Sequence, residues 1–251
     1  DNFVMNVRKP PFNDVLVRKA IALATDREKM IEIAVEGWGV PGGYIGPHTP
    51  YGLPPEELQK YPQFGTDMKK REAEAKRLLA EAGYVKGLDV QLMLRRGSLY
   101  ERGALSQQDD LKKVGINLKI DLVDTATNLD RQKNGDFQVY TAPSSVHTDD
   151  PDLYYARFTC QAVSNYGKYC HPEFDKLFEE QSRTFDDGKR AEITRQMERM
   201  LLEEIPDDRG YYWKSSMGYW NRVKNWPPLL GTTVYNYGKF GEVWCQGAQC
   251  M

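Results

Sequence analysis

Residues 88–124 read LDVQLMLRRGSLYERGALSQQDDLKKVGINLKIDLVD, and their reading decides the fold. LDVQLML is a strand. LYERGALSQQDDLKKV, residues 99–114, is a helix that Gly115 stops. INLKIDLVD alternates, with Ile116, Leu118, Ile120 and Leu122 on one face, so it is a second strand. The alternation of helix and strand continues outward in both directions. Upstream, MKKREAEAKRLLAEAGY carries an apolar stripe of Ala73, Ala75, Leu78, Leu79 and Ala82, and Gly83 ends that helix. Further upstream, Asp14 caps VLVRKAIALA and Asp26 caps REKMIEIAVE, which closes on Gly37. Between them and the amphipathic helix, residues 38–68 form a long ordered loop rich in Gly and Pro with interspersed aromatics. Downstream come a helix near 125–133, the strand FQVYTA and a short helix in DLYYARF. The helices PEFDKLFEEQSRTF and GKRAEITRQMERMLLEEI follow, then the strand RGYYWK. This order argues an α/β architecture.

Composition narrows the function. A chain of 251 residues buries a sizeable core. Its formal net charge of -2 gives no reason to expect a nucleic-acid or membrane-surface partner. No apolar run approaches the roughly 20 residues of a membrane helix. The first residues, DNFVMNVRKPPF, have no apolar leader segment; they read as an interior strand, with Phe3, Met5 and Val7 alternating with Val4, Asn6 and Arg8. A truncated or processed piece of something longer is therefore expected.

Catalytic chemistry finds little to stand on. His48, His147 and His171 are the only histidines, and no nucleophile elbow, phosphate loop, dinucleotide fingerprint or zinc motif is present. No metal and no cofactor are expected. Asp149, Asp150 and Asp152 in HTDDPDLYY could serve a carboxylate-dependent hydrolase of glycosidase type, or calcium. The competing reading makes Asp150 or Asp152 a helix cap beside Pro151. Cys160 and Cys170 enclose a loop of Ser, Asn, Gly and Tyr and read as a local disulfide of an oxidising compartment. For Cys245 and Cys250, in a terminal tail, a bond and free thiols stay equally open. Tyr and Trp in loops, among them Trp38, Tyr44, Tyr51, Tyr166 and Tyr169, suit a ligand pocket or simple packing against loop backbone.

Taken in order, PPFNDVLVRKAIALATDREKMIEIAVEGWGVP, AKRLLAEAGY, DLKKVGINLKIDLVD, NGDF, DPDLYY, CHPEFDKL and RQMERMLLEEIP resemble one family. The chain is similar to the bacterial extracellular solute-binding proteins of family 5, which serve ABC importers of peptides, nickel and oligosaccharides. The resemblance implies a periplasmic-binding-protein fold of type II: a mixed sheet flanked by helices, in two lobes that close on a ligand about a hinge. Only the second half of the family pattern is present. Residues 1–8 resemble the hinge-crossing strand, 9–215 the C-terminal ligand-binding lobe, and 216–251 the return toward the other lobe. The implied role is a periplasmic or otherwise extracytoplasmic monomer that passes a small polar solute to ABC permease subunits. A peptide-holding chaperone role is a further possibility in this family.

The resemblance also points to residues. In peptide-binding relatives an aspartate before the DP turn pairs with the peptide's amino group. Here His147 holds that position, and Ser144, beside Ser145, stands where an aromatic residue is often found. Asp149 is the nearest acidic substitute. A neutral histidine is no fixed countercharge, so a sugar or an opine-like metabolite competes with a peptide as the ligand. Arg95, Arg96 and Tyr100 follow the strand LDVQLML, at a strand's carboxyl end where α/β sheets bind ligands. Either arginine could hold a carboxylate bidentately, with Tyr100 stacked on it. Tyr44 and His48 in the long loop, and Asn165 with Tyr166 in the Cys160–Cys170 loop, complete the expected set.

Overall fold

Asp14, Asp26, Asp67, Asp124 and Asp186 each accept a backbone N–H from two or three residues further on. They thereby begin α1 (Val15–Ala24), α2 (Arg27–Val35), α4 (Met68–Glu81), α6 (Thr125–Asn134) and α9 (Asp187–Glu204). The computed structural model describes residues 2–47, 49–97, 100–142, 150–214, 218–226 and 243–246. The remaining elements are β1 (Asn2–Met5), β2 (Gly39–Val40), α3 (Pro55–Leu58), β3 (Leu88–Arg95), α5 (Glu101–Lys113), β4 (Ile116–Val123) and β5 (Val139–Ala142). They continue with α7 (Pro151–Tyr155), α8 (Pro172–Ser182), β6 (Asp207–Arg209), β7 (Tyr212–Trp213), β8 (Val223–Lys224) and β9 (Trp244–Cys245). Among the described residues no helix is long and apolar enough to cross a membrane.

The strands form a mixed sheet in the order β4-β3-β5-β1-β6. β3 runs parallel to β4, from Leu88 opposite Ile116 to Arg95 opposite Val123, and parallel to β5. β1 is antiparallel to both its neighbours, β5 and β6. An inner strand in a sheet covered on both sides buries both its faces. Accordingly Phe3 and Met5 join the main core with Leu92, Leu94, Ile116 and Val139, while Val4 turns to the opposite face with Met93, Phe137 and Tyr140. The alternation in residues 2–5 separates two cores, not core from solvent. On β4 the apolar face is kept but its burial fades along the strand: Ile116 and Leu118 are buried, Ile120 half-buried, and Leu122 is 43% exposed.

A second core is aromatic. Tyr155, Phe158, Tyr169 and Phe174 meet edge to face, with Tyr44 against Phe158 at 5.4 Å between centroids. Buried arginines close helix ends. Arg18 donates to the carbonyls of Glu204 and Ile205 at the end of α9, and Arg71 to those of Ala22 and Thr25 at the end of α1. Cations at those ends match the helix dipoles.

The described residues of the long segment 38–68 include β2, α3 and a short 3-10 turn at Pro62–Phe64. Its organiser is a residue that looks solvent-facing in the sequence. Glu198, in the middle of α9, is 1% exposed and accepts the N–H groups of Tyr44 (2.7 Å), Leu53 (2.7 Å) and Ile45 (3.3 Å). Gly43 is required there, because a Cβ would lie 2.0 Å from the Glu198 carboxylate.

Candidate functional site

The connections of the parallel strands leave β3 in opposite senses. β3 is joined through α5 to β4, its neighbour on one side, whereas β5, on the other side, is reached from β4 through α6. Such a reversal opens a crevice at the carboxyl ends of the strands. A cavity of about 350 Å³ lies there, within the size range of ligand pockets. Arg95, the last residue of β3, and Tyr100, just before α5, form one side. Asn128, Leu129 and Gln132 of α6 form another, and Tyr140 of β5 a third. Arg157, Phe158 and Asp207 line the wall toward the aromatic core, and the loop carrying Ser164–Gly167 closes the rest.

That loop is held from several directions. Cys160 and Cys170 are disulfide-bonded, as expected from the sequence. Asn165 is buried and donates through its side-chain amide to the carbonyls of Thr159 and Tyr169. The Gly167 carbonyl accepts from the Val7 N–H at 2.9 Å. Asn165 therefore lines the cavity while its amide holds the loop's shape. Replacing both cysteines by Ser should cost about 2–3 kcal/mol, the chain-entropy value for so short a loop. Urea unfolding would measure it, and faster amide exchange should appear first across residues 161–169.

Electrostatically the cavity has a paired wall and, among the described residues, one cation without an acidic partner. Asp207 is 1% exposed and forms an ion pair with Arg157 and, at 3.4 Å, with Nε of the buried Arg209. The Arg157 guanidinium also lies 4.9 Å from the Phe158 ring centre. Arg95 is exposed at the mouth and has no acidic partner among the described residues. Burial pushes the Tyr100 hydroxyl above its usual range, and the charge of Arg95 opposes that.

The structure thus gathers Arg95, Tyr100, Asn165 and Tyr166 around one cavity. Arg96 is not among its lining residues; its N–H bonds the Val123 carbonyl. Tyr44 is corrected outright. It is 1% exposed, donates its hydroxyl to the Asp207 carbonyl at 2.7 Å, and packs in the aromatic core, because the Glu198 clamp draws its loop inward. His48, Ser144, Ser145, His147 and Asp149 lie outside the described residues, as does Cys250. The carboxylate-hydrolase alternative gains no support. Asp150 caps α7 through the Asp152 N–H and pairs with Arg190 at 2.8 Å. Among the described residues no group of His, Cys, Asp and Glu could hold a metal ion. Asn128 and Gln132, a polar pair four residues apart on α6, and Arg157 with Asp207 line the cavity without a signal in the sequence that marks them.

Comparison with known proteins follows the same lines. The family model for bacterial extracellular solute-binding proteins, family 5 (middle), matches residues 1–166. The chain is 32% identical over 210 residues to the dipeptide-binding protein of Escherichia coli, covering 80% of this chain and 38% of that one. It is 29% identical over 228 residues to the periplasmic oligopeptide-binding protein OppA of the same organism, covering 89% and 40%. A solved Pseudoalteromonas dipeptide binding protein in complex with Met-Leu superposes with a TM-score of 0.72 at 26% identity, over 84% of this chain and 42% of that one. The chain spans about two fifths of the length of the curated relatives it matches.

Proposed function

This chain belongs to the bacterial extracellular solute-binding proteins of family 5, and we propose that it supplies one ligand-binding lobe of an extracytoplasmic receptor for an ABC importer. The observation that carries this reading is the cavity at the carboxyl ends of β3 and β5, lined by the exposed Arg95. The ligand is a polar solute of peptide size, captured without chemical change. In this reading residues 1–8 cross the hinge, 9–215 form the lobe, and 216–251 return toward a second lobe. Arg95 holds a ligand carboxylate and Tyr100 stacks beside it. Ser144, Ser145, His147 and Asp149 belong to the segment between β5 and α7 and are proposed to face the same solute, together with His48. The receptor works as a monomer and hands its load to the permease by hinge closure.

Two relatives are named for dipeptides and oligopeptides, which makes a peptide mixture the natural probe. Native mass spectrometry of the chain incubated with a casein digest should show peptide adducts of unaltered mass. Arg95→Ala should weaken their retention about tenfold, the factor for one charge-assisted hydrogen bond. Absence of adducts would remove peptides from the reading, and cleaved peptides would remove the binding role itself.

A further inference from the structure

A second cavity, of about 420 Å³, lies among the start of α2, α3, the 3-10 turn at Pro62–Phe64 and the start of α4. Among the described residues it shares no lining residue with the crevice. Two guanidinium groups line it: Arg27 and Arg71, which are 5% and 9% exposed. The Arg27 group is fully answered. It pairs with Asp208, donates to the carbonyls of Arg209, Ala22 and Gln63, and lies 4.9 Å from the Phe64 ring centre. Arg71 is not. It donates to the carbonyls of Gly65, Ala22 and Thr25, but among the described residues its Nε has no hydrogen-bond partner and the group forms no ion pair.

Carbonyls at the end of α1 supply about half a negative charge, which does not balance a whole guanidinium out of water. Asp26 and Glu28 also line the cavity. Asp26 accepts the Lys29 N–H at the start of α2, where the helix dipole opposes its charge, and Glu28 is exposed, so solvent screens it. Burial and the charge of Arg27 pull the pKa of the Arg71 guanidinium down to about 10, against the attraction of Asp208, Asp26 and Asp110. Those acids therefore leave positive charge unanswered beside the cavity. Apolar groups complete the lining, the buried Leu58 with Phe64 and Met68 among them. A charged group within an apolar concavity is the usual make-up of a site for small organic ligands.

We propose that this cavity is a second ligand site and takes a small organic carboxylate, whose charge pairs with Arg71 and whose apolar body packs on Leu58 and Phe64. The site is separate from solute capture in the crevice and does not depend on it. A charge-assisted bond to a guanidinium sets an anion apart from a neutral or cationic molecule of the same shape.

The test is a titration of the chain with benzoate, with its neutral and cationic counterparts benzamide and benzamidine, and with inorganic phosphate. It is followed by the backbone amide resonances of Gly42, Gly65 and Thr66, which line this cavity, and of Asn165 and Gly167, which line the crevice. Benzoate should shift the first three at concentrations about tenfold below the other probes. Arg95→Ala should leave that titration unchanged, and Arg71→Met should weaken it about tenfold. Arg71 also holds the end of α1, so a second variant, Gln59→Glu, places an anion at an exposed lining position instead. It should weaken benzoate about threefold with Tm unchanged. Benzamide or benzamidine titrating as readily as benzoate, benzoate binding unaltered by Gln59→Glu, shifts confined to Asn165 and Gly167, or no shift with any probe would each overturn the inference. Phosphate equal to benzoate would overturn the assignment to an organic anion. Peptide retention by the crevice is measured separately and stands or falls apart from these results.

Discussion

Glu198→Ala is expected to destabilise the fold by about 3–5 kcal/mol, the range for removing one partner from a buried, fully used polar cluster. The carboxylate is the shared acceptor for the N–H groups of Tyr44, Ile45 and Leu53. Its removal strands those donors in the interior, and it opens a cavity beside Gly43, whose missing side chain the carboxylate fills. Urea unfolding should show the loss in the midpoint. Exchange of the amides across residues 43–53 should speed up more than that of the sheet. The titration of this group has a sign that can be checked. Burial pushes the Glu198 carboxyl up to about 7, against the pull of the N–H groups of Leu53, Ile45 and Tyr44 and of the Arg209 charge. A free glutamate titrates near 4.3. Between those values the folded chain holds a proton that the unfolded chain has released. Stability contributed by this group is therefore greatest below about pH 4.5 and is lost as pH rises toward 7. Glu198→Gln retains part of the clamp and cannot titrate. The difference in Tm between wild type and Glu198→Gln should accordingly change between pH 5 and 7.5, in favour of wild type at the acid end. Parallel pH profiles would show that Glu198 stays ionised throughout.

Glu198 also marks the boundary of what the sequence discloses. In RQMERM a glutamate on a long helix is indistinguishable from a solvent-facing charge, because its acceptors' partners lie about 150 residues away. Tyr44 fails for the complementary reason. An aromatic in a Gly- and Pro-rich loop looks like a ligand contact, and only the clamp draws it into the core. Local signals behave differently. Aspartate caps and apolar periods depend on neighbours within a few residues, so α1, α2, α4 and β3–α5–β4 were readable directly. The strand order was not, since β1 pairs with partners more than 100 residues away. Of the site, Arg95 and Tyr100 were legible because a strand's carboxyl end is a recurrent ligand position. Asn128 and Gln132 were not, since a polar pair on a polar helix acquires meaning only when the helix is known to wall a cavity.

Asp207→Ala should produce an effect of similar size and carry it into the site. The Asp207 carboxylate is 1% exposed, between the half-buried Arg157 and the buried Arg209. Among the described residues Arg209 then retains the Asn2 side-chain oxygen at 3.0 Å and the faces of Tyr44 and Phe158, at 5.0 and 5.9 Å. Those contacts do not replace a countercharge for a guanidinium out of water, so a loss of about 3–5 kcal/mol is expected. Pairing the change with Arg209→Met should recover much of it, because a buried ion pair stabilises a fold little more than apolar groups of its size. A double-mutant cycle by urea unfolding measures that coupling; additive effects would mean that the two residues do not act as a pair. The consequence for binding is electrostatic. Removing Asp207 takes a negative charge from the cavity wall, and the field within becomes more positive. Retention of acidic peptides should then rise relative to neutral ones, and the gain should shrink with added salt, since a charge at a solvent-connected wall is screened. A salt-independent change would instead indicate that the loop carrying Asn165 and Tyr166 had moved, making Asp207 a support of the cavity's shape and not of its charge.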